Sequence, residues 1–323
     1  MSKLKFMDFC AGIGGGRLGL TSCGLKCVAY SEIDKSAEKT YNLLHTNNEK
    51  NYGDLTKIKV EELPNFDLLI GGFPCQTFSI VGQRKGFADE RGMIIYSLVN
   101  ILKEKNIPYF ILENVKGLTN HDKGKTLKTI EELLTSNGYT LYYKVLNSID
   151  FGVPQMRERI YFVGIKKDLI KKSFEWPKKK NCKNISNFLC DDKAQEMNLE
   201  DKTFVKYLNN KYNKGKHDMK DILSKDYNVL DTRQSDLRIY KGKVPTLRTG
   251  RHGILYTKNG KLYKLSGYEA LLLQGFPKEL ADNVKGKVIN SKLLSQAGNA
   301  MTVNVINAIC NELLKCIEEW KNE

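Results

Sequence analysis

Short apolar runs alternate with amphipathic segments along the first half of the chain. The runs at residues 5–9, 28–31, 67–70 and 109–112 are each followed by glycine or by a polar side chain, a pattern that predicts buried parallel strands. Segments with helical periodicity lie between or after these apolar runs, at residues 36–44, 93–103 and 126–134. This alternation predicts an open α/β sheet with helices packed on it.

The pattern changes at residue 166. Lysines cluster, the apolar periodicity fades and the strand signals become short as far as about residue 263. Helical periodicity returns at residues 265–273, with Ser266 as a helix cap. We predict a terminal amphipathic helix that begins at Gln296 and runs to about Trp320. We therefore predict one large domain made of residues 1–165 and 264–323, and a smaller inserted domain at 166–263.

The segment after the third predicted strand stands out. Two glycines and Pro74 end the strand and leave Cys75 at its C-terminal end, where open α/β sheets bind their ligands. Pro74 fixes its own φ, so Cys75 has a stiff support. A small buried cysteine in a turn is the alternative. That alternative leaves the Gly-Gly-x-Pro pattern and the polar Gln76 and Ser79 unexplained.

A glycine-rich segment joins the first strand to the first helix. Gly12 and Gly14 let the backbone approach a ligand closely. Glu32 lies twenty residues after Gly12, where nucleotide-binding units place an acid on the ribose hydroxyls; an acid at a helix N-terminus is the alternative. Asp54, at another strand end, suits the amine of an adenine. Arg17 replaces the third glycine of a dinucleotide fingerprint, which argues against an ordinary nicotinamide site.

Charged side chains follow two further strands. Glu113 ends an apolar run, so we expect it to be partly desolvated, with a raised pKa and a proton to donate near neutral pH. A solvated acid in a loop is the alternative. Residues 155–164 predict one alternating strand with Arg157 and Arg159 on the same face. Two guanidinium groups on one face suit phosphate or carbonyl recognition.

The composition indicates a polyanionic partner and argues against a metal site. The net charge of +15 and the pI of about 9.2 favour a polyanion, nucleic acid first; a lysine-rich solvated surface is the alternative. None of the eight cysteines forms a C-x-x-C pair and the four histidines stand apart from them, so we expect no metal site. With no signal peptide and no apolar stretch of bilayer length, we expect a cytoplasmic protein without membrane contact.

Seven segments, in order, resemble the motifs of the bacterial cytosine-C5 DNA methyltransferases. They lie at residues 8–20, 31–34, 53–55, 72–76, 113–115, 155–159 and 298–300, across nearly the whole chain. The resemblance implies a Rossmann-like, S-adenosylmethionine-dependent methyltransferase sheet with helices on both faces. It also implies a small irregular, mostly β target-recognition domain. The implied reaction transfers a methyl group to C5 of a flipped-out cytosine in a short specific double-stranded DNA sequence and releases S-adenosylhomocysteine.

The resemblance also implies site residues. Cys75 matches the nucleophile, Glu113 the acid that contacts the base, and Arg157 and Arg159 the pair that orients the cytosine and its backbone. The expected cofactor contacts are Phe9, Gly12, Gly14, Glu32, Ile33, Asp54, Pro74 and Asn299. The expected DNA contacts are Gln76, Ser79, Arg84, Arg238, Thr246, Arg248 and Arg251, with Thr246-Leu247 matching the Thr-Leu pair of the recognition domain.

Three alternatives remain at this point. A tRNA cytosine methyltransferase has similar catalytic segments, but we find no Cys-Phe-Thr segment of the kind that branch carries, and the basic insert favours DNA. A non-catalytic DNA-binding protein would not need Cys75, Glu113, Arg157 and Arg159 together. A nicotinamide-dependent dehydrogenase leaves Pro74-Cys75 unexplained. We expect a monomer, and a cognate restriction endonuclease that acts separately is compatible with the family.

Overall fold

The computed structural model describes residues 4–45, 49–73 and 93–317 of the 323-residue chain. The chain divides into two compact units. The first unit comprises residues 1–147, 158–179 and 301–323, and the second comprises residues 148–157 and 180–300. The inserted domain predicted at 166–263 overlaps the second unit at residues 180–263, and its limits stay a prediction.

Six strands form the sheet of the first unit. They are β1 (Lys5–Phe9), β2 (Lys26–Ser31), β3 (Leu68–Gly72), β4 (Tyr109–Val115), β5 (Tyr139–Asn147) and β7 (Glu158–Lys166). Their order is β2-β1-β3-β4-β7-β5. The first four strands are parallel, and β7 runs antiparallel to both of its neighbours. The carboxyl ends of β1 to β4 therefore meet at one edge, where ligands bind in open α/β sheets.

In the described ranges, five α-helices belong to the first unit. They are α1 (Gly15–Thr21), α2 (Lys35–His45), α3 (Met93–Glu104), α4 (Lys125–Ser136) and α10 (Val303–Cys316). The apolar faces of α3 and α4 and the central strands form a core in which Leu69, Phe110 and Phe162 are fully buried. Strands covered in this way carry continuous apolar runs rather than alternation, which is why the sequence pattern located them.

The second unit contains a four-stranded antiparallel sheet. Its strands are β8 (Asn228–Asp231), β9 (Arg238–Lys241), β11 (Ile254–Lys258) and β12 (Lys261–Lys264), in the order β12-β11-β8-β9. Two short strands, β6 (Gln155–Met156) and β10 (Val244–Pro245), pair in parallel. The helices are α5 (Lys202–Leu208), α6 (Met219–Leu223), α7 (Gly267–Leu273), α8 (Lys278–Asp282) and α9 (Asn290–Asn299). The predicted fold class is confirmed: an α/β sheet with a separate, smaller β structure.

Two predicted elements are wrong in detail. The continuous strand expected at residues 155–164 is interrupted at Arg157, because β6 pairs with β10 whereas β7 joins the large sheet. The terminal helix does not open at Gln296, since α9 ends at Asn299 and α10 begins at Val303, with extended backbone between them. The Ser266 cap is confirmed, and Glu269 completes a capping box with it. Across the described ranges, we find no helix with the length and apolar character that a membrane span requires.

Candidate active site

The glycine loop after β1 contains two glycines with different surroundings. Gly12 and Gly14 both have positive φ, 56° and 79°. A Cβ at Gly14 would overlap the imidazole of His45, so Gly14 is required by packing. At Gly12, no heavy atom of the described residues lies within 4 Å of where a Cβ would stand. Gly12 therefore leaves the space into which a ligand can approach the backbone closely.

Glu32 ties the end of β2 to this loop. One carboxylate oxygen accepts a hydrogen bond from the Gly12 N–H at 2.7 Å, and the other accepts from the Asp34 N–H at 2.7 Å. The acid at the start of α2 is Asp34, which accepts from the N–H groups of Ser36 and Ala37. Glu32 is thus not the helix-capping acid. A carboxylate oxygen has a second lone pair, so Glu32 can still accept from a ligand hydroxyl.

Two further predicted cofactor contacts are Ile33, an apolar side chain that follows β2, and Asp54, an acid. Ile33 is 68% exposed although it is aliphatic and lies between two acids, which suits a flat apolar ligand surface. At Asp54, burial acts to raise the pKa, but hydrogen bonds from Thr56 and the Lys57 ammonium hold it below its usual value. Asp54 is therefore an ionised acceptor. The ring of Phe9 is fully buried in the core, so any ligand contact at Phe9 is made by its main chain.

Carboxylates give the loop a negative potential. Cys10 has a positive φ of 51° and lies close to the acids of the loop. Burial, followed by the charges of Glu32, Asp8 and Asp54, raises the pKa of its thiol to about 12. Cys10 is consequently a neutral thiol rather than a nucleophile. The same potential favours a ligand that carries a positive charge.

Sequence reasoning missed the side chains that brace this loop. Arg17 is buried, forms an ion pair with Glu49 at 2.9 Å and donates to the Tyr41 hydroxyl at 3.2 Å. His45 Nε2 lies 3.0 Å from the carbonyl oxygen of Ile13. Tyr41 and His45 are four residues apart on α2 and so share one face, a spacing that offered a signal. Arg17 was noticed only as a departure from a glycine fingerprint, and its structural role explains that departure.

The ends of β3 and β4 lie side by side and bring Glu113 to the start of the cysteine segment. Gly72 pairs with Glu113 in register, and a Cβ at Gly72 would stand 3.6 Å from Glu113 Oε2. Asn114 donates from Nδ2 to the carbonyl oxygen of Phe73 at 2.8 Å. The backbone that leads into Pro74 is therefore held beside the Glu113 carboxylate. Five predicted site residues lie outside the described residues: Pro74, Cys75, Gln76, Ser79 and Arg84.

Arg159 faces Glu113 from the adjacent strand. Its Nε lies 3.0 Å from Glu113 Oε1, and both side chains are nearly buried, at 13% and 12% exposure. Because both side chains are nearly buried, water and salt screen the attraction between their charges less than they do for a surface ion pair. The arrangement orients the carboxyl group and keeps a cation beside it.

Arg157 has different partners. Its guanidinium is 2% exposed and donates to three main-chain carbonyl oxygens of the second unit, those of Leu247, Gly298 and Ala300, at 3.2, 3.1 and 2.9 Å. The expectation that Arg157 and Arg159 share one strand face does not hold, because β6 ends before Arg157 and β7 begins after it. The base-orienting role expected for Arg157 stays a prediction.

The residues expected to contact DNA fall into three groups. Arg248 and Arg251 are exposed. Arg238 is also exposed but is paired with Asp236 at 3.0 Å. The hydroxyl of Thr246 donates to the Met156 carbonyl oxygen at 2.6 Å, so it supports the segment internally.

Asn299 is exposed at the last position of α9. In the described part of the chain, no three His, Cys, Asp or Glu side chains are grouped so that they could hold a metal ion.

The comparison with known families decides the identity of this fold. The model of the C-5 cytosine-specific DNA methylases matches residues 4–315. The chain belongs to this family. It is a DNA (cytosine-5-)-methyltransferase, and the family implies use of S-adenosylmethionine.

Several relatives match over almost their full length. The type II methyltransferase M.HaeII of Haemophilus aegyptius is 38% identical over 98% of this chain and 95% of its own. M.HhaI of Haemophilus parahaemolyticus is 34% identical over 96% of this chain and 94% of its own. Among solved structures, a putative DNA modification methyltransferase from an E. coli prophage superposes with a TM-score of 0.72 at 21% identity, covering 98% of this chain and all of that one. That structural likeness supports the methyltransferase fold.

Proposed function

We propose that this methyltransferase transfers a methyl group from S-adenosylmethionine to C5 of a cytosine flipped out of a short specific DNA duplex sequence, through a covalent bond between Cys75 and C6. The observation that carries the proposal is the position of Glu113. Its carboxylate lies beside Gly72, three residues before Cys75, with Arg159 3.0 Å away. An acid is thereby paired with the segment that bears the nucleophile.

The chemistry requires both residues. Cytosine C5 is not nucleophilic enough to accept a methyl group directly. Attack of the Cys75 thiolate forms an S–C6 bond, while Glu113 donates a proton to N3 so that charge does not build on the ring. C5 then becomes an enamine carbon and takes the methyl group. N3 then returns its proton to the Glu113 carboxylate. Loss of the C5 proton to a base and breakage of the S–C6 bond release the Cys75 thiolate and restore the aromatic ring.

The residues of the glycine loop fit S-adenosylmethionine, which supplies the methyl group as an electrophilic sulfonium. Gly12 leaves room for close approach, Glu32 accepts from the ribose hydroxyls, Ile33 covers the adenine and Asp54 accepts from the adenine amine. Burial is the main cause of the raised pKa of Cys10, and the carboxylates of Glu32 and Asp54, which add to it, favour the sulfonium charge. Phe9 contributes through its main chain, and Gly14 acts indirectly by packing on His45. Pro74 and Asn299 complete the proposed contacts.

The DNA partner is supported by charge and by the relatives. A net charge of +15 suits a polyanion. The target atoms of cytosine are covered in a duplex, so the base has to leave the stack. Arg248 and Arg251, which are exposed, are proposed to contact the DNA. Because several full-length relatives are type II methyltransferases, we propose that the enzyme protects DNA in a restriction-modification system. We further propose that it acts as a monomer.

The test is methyl transfer from labelled S-adenosylmethionine to unmethylated genomic DNA, with tRNA in a parallel reaction and with Cys75→Ala as the control protein. Modified positions are mapped by cytosine-conversion sequencing. We expect label at cytosine C5 within one short repeated sequence, and none with Cys75→Ala, which should still bind the cofactor. Label in tRNA alone, or near-normal turnover by Cys75→Ala, would contradict the proposal.

A further inference from the structure

Residues 155–157 meet two other segments of the second unit. We call residues 244–249 the recognition segment, because it contains the Thr-Leu pair, and residues 297–300 the α9 end. The strand β6 pairs in parallel with β10, with Gln155 opposite Val244 and Met156 opposite Pro245. The recognition segment thus starts as a strand on β6.

Side chains then hold the recognition segment beyond the strand. Gln155 Oε1 accepts from the Leu247 N–H at 3.1 Å, and the Thr246 hydroxyl donates to the Met156 carbonyl at 2.6 Å. Arg233 donates from Nη1 to the Thr246 carbonyl oxygen at 2.8 Å. These bonds use the polar groups of the segment internally, so its backbone conformation is strongly determined. Arg248, the next residue of the segment after Leu247, is exposed.

Arg157 links this segment to the α9 end. One amino group of its guanidinium donates to the carbonyl oxygens of both Leu247 and Gly298, and the other donates to that of Ala300. These acceptors are 90, 141 and 143 residues away in the chain. A buried guanidinium is costly unless such acceptors are present, so the three carbonyls and the arginine hold one another in place.

Gly298 brings the same two segments into direct backbone contact. A Cβ at Gly298 would stand 2.6 Å from the carbonyl carbon of Arg248 and 2.7 Å from the amide nitrogen of Thr249. Both atoms belong to the main chain, so neither can move aside cheaply. The side chain of Gln274 also donates to the Ala297 carbonyl oxygen at 2.6 Å. The α9 end and the recognition segment therefore shift together.

We propose that Arg157 is a positioning residue that couples the recognition segment to cofactor binding through the α9 end. Asn299, the proposed cofactor contact, lies between the two α9-end residues whose carbonyls Arg157 binds. The chain continues at once into Met301, which belongs to the first unit and whose carbonyl packs against Gly15 of that same unit. DNA engaged by Arg248 would thus set the position of Asn299. This inference rests on the proposed function.

The test measures coupling rather than activity. The dissociation constant of S-adenosylhomocysteine is determined by calorimetry, without DNA and with a saturating duplex that carries the sequence mapped in the methylation assay. Thermodynamic coupling between two sites typically amounts to a factor of about 5 to 150. We expect the duplex to strengthen binding by at least about fivefold in the unaltered enzyme.

In Arg157→Met the coupling factor, which is the ratio of the two dissociation constants, should fall below about twofold. Arg157→Lys, which keeps a cation and fewer donors, should lie between. Gly298→Ala breaks the same contact from the other side, and Arg157→Lys provides the decisive comparison if neither Arg157→Met nor Gly298→Ala folds. Lys202→Met, which removes an exposed charge at the start of α5, should keep the full factor.

Two results would overturn the inference: no coupling in the unaltered enzyme, or an unchanged factor in Gly298→Ala and Arg157→Lys. If the Arg157 variants have a lower single-turnover rate but an unchanged coupling factor, Arg157 contacts the base directly and does not couple the two sites. Failure of the proposed function is distinguishable, because the unaltered enzyme would then transfer no methyl group to DNA.

Discussion

Arg159 Nε lies 3.0 Å from Glu113 Oε1, across the antiparallel pair β4 and β7. The two side chains come from residues 46 positions apart, and each is almost removed from solvent. Removing one partner leaves the other charge buried without compensation, which is more costly than losing a surface ion pair. The pair is therefore expected to act as one functional group.

Glu113→Gln should lower the single-turnover rate of methyl transfer by roughly two to four orders of magnitude, the range of general acid catalysis. Arg159→Met should cause a loss of similar size, because the carboxyl group loses its orientation. The double variant should be little slower than either single variant, since residues that act as a unit are not additive. Rapid-quench measurements at saturating DNA and cofactor give the three rates.

The exposed pair Lys116 and Glu158 offers a matched control. It joins the residue after β4 to the first residue of β7 at 3.0 Å, but its side chains are about half exposed. Such pairs contribute little, so Lys116→Met should keep the rate within about twofold. A rate for Glu113→Gln equal to that of the unaltered enzyme would reject the acid role.

Gly12→Ala should weaken S-adenosylmethionine binding by at least about tenfold, because its methyl group would enter the open space beside the loop. Gly24→Ala is the matched control: it also has positive φ, and no described atom lies within 4 Å of its Cβ position. Both substitutions incur similar backbone strain, about 1–2 kcal/mol. Calorimetric cofactor titration and thermal unfolding of both variants separate binding from stability, and equal cofactor affinity in the two would contradict the role of Gly12.

Stability should fall on acidification because of His45. Burial, together with the charge of Arg17, lowers the pKa of His45 to about 4 from an ordinary 6.5. Between these values the unfolded chain binds more protons than the folded protein, so the free energy of unfolding decreases as pH drops from 6.5 towards 4. Because the ring is partly exposed, we expect a loss of about 2 kcal/mol rather than the full linkage value.

The measurement compares urea unfolding of the unaltered enzyme and His45→Gln at pH 7 and pH 5. The unaltered enzyme should lose more stability than the variant. Glu269 acts in the opposite direction, since burial raises its pKa to about 6 and favours the folded, protonated form on acidification. Glu269 is present in both proteins, so its effect cancels in the difference. Identical pH dependence in the two proteins would contradict the assignment to His45.

Arg248 and Arg251 should differ from Arg238 in their effect on specificity. The guanidinium of Arg238 is paired with Asp236, whereas Arg248 directly follows Leu247, whose backbone is held by buried hydrogen bonds. We expect Arg248→Met to relax the methylated sequence at one position, at a cost of about 1–3 kcal/mol in discrimination. Arg238→Met should weaken binding uniformly. Cytosine-conversion sequencing after methylation by each variant shows which positions of the recognised sequence change. An equal loss of methylation at all sequences with Arg248→Met would reject base contact by Arg248.

Local sequence patterns were sufficient to predict several strands, one helix cap and the family of this protein. The apolar runs located β1 to β4, because buried parallel strands need continuous hydrophobic residues. The capping pair Ser266 and Glu269 lies within one turn, and its signal is local. The order of the short motifs placed the chain in its family, which the comparison confirmed.

Contacts between distant residues needed the tertiary structure. Nothing near Arg157 in the chain indicates that it binds the carbonyls of Leu247, Gly298 and Ala300, or that it lies between the end of one strand and the start of another. Likewise, Gly12 and Gly14 look alike in sequence, and only the position of His45 separates an open glycine from a packed one. Periodicity and capping act over a few residues, whereas buried polar groups find whichever acceptors the fold places beside them.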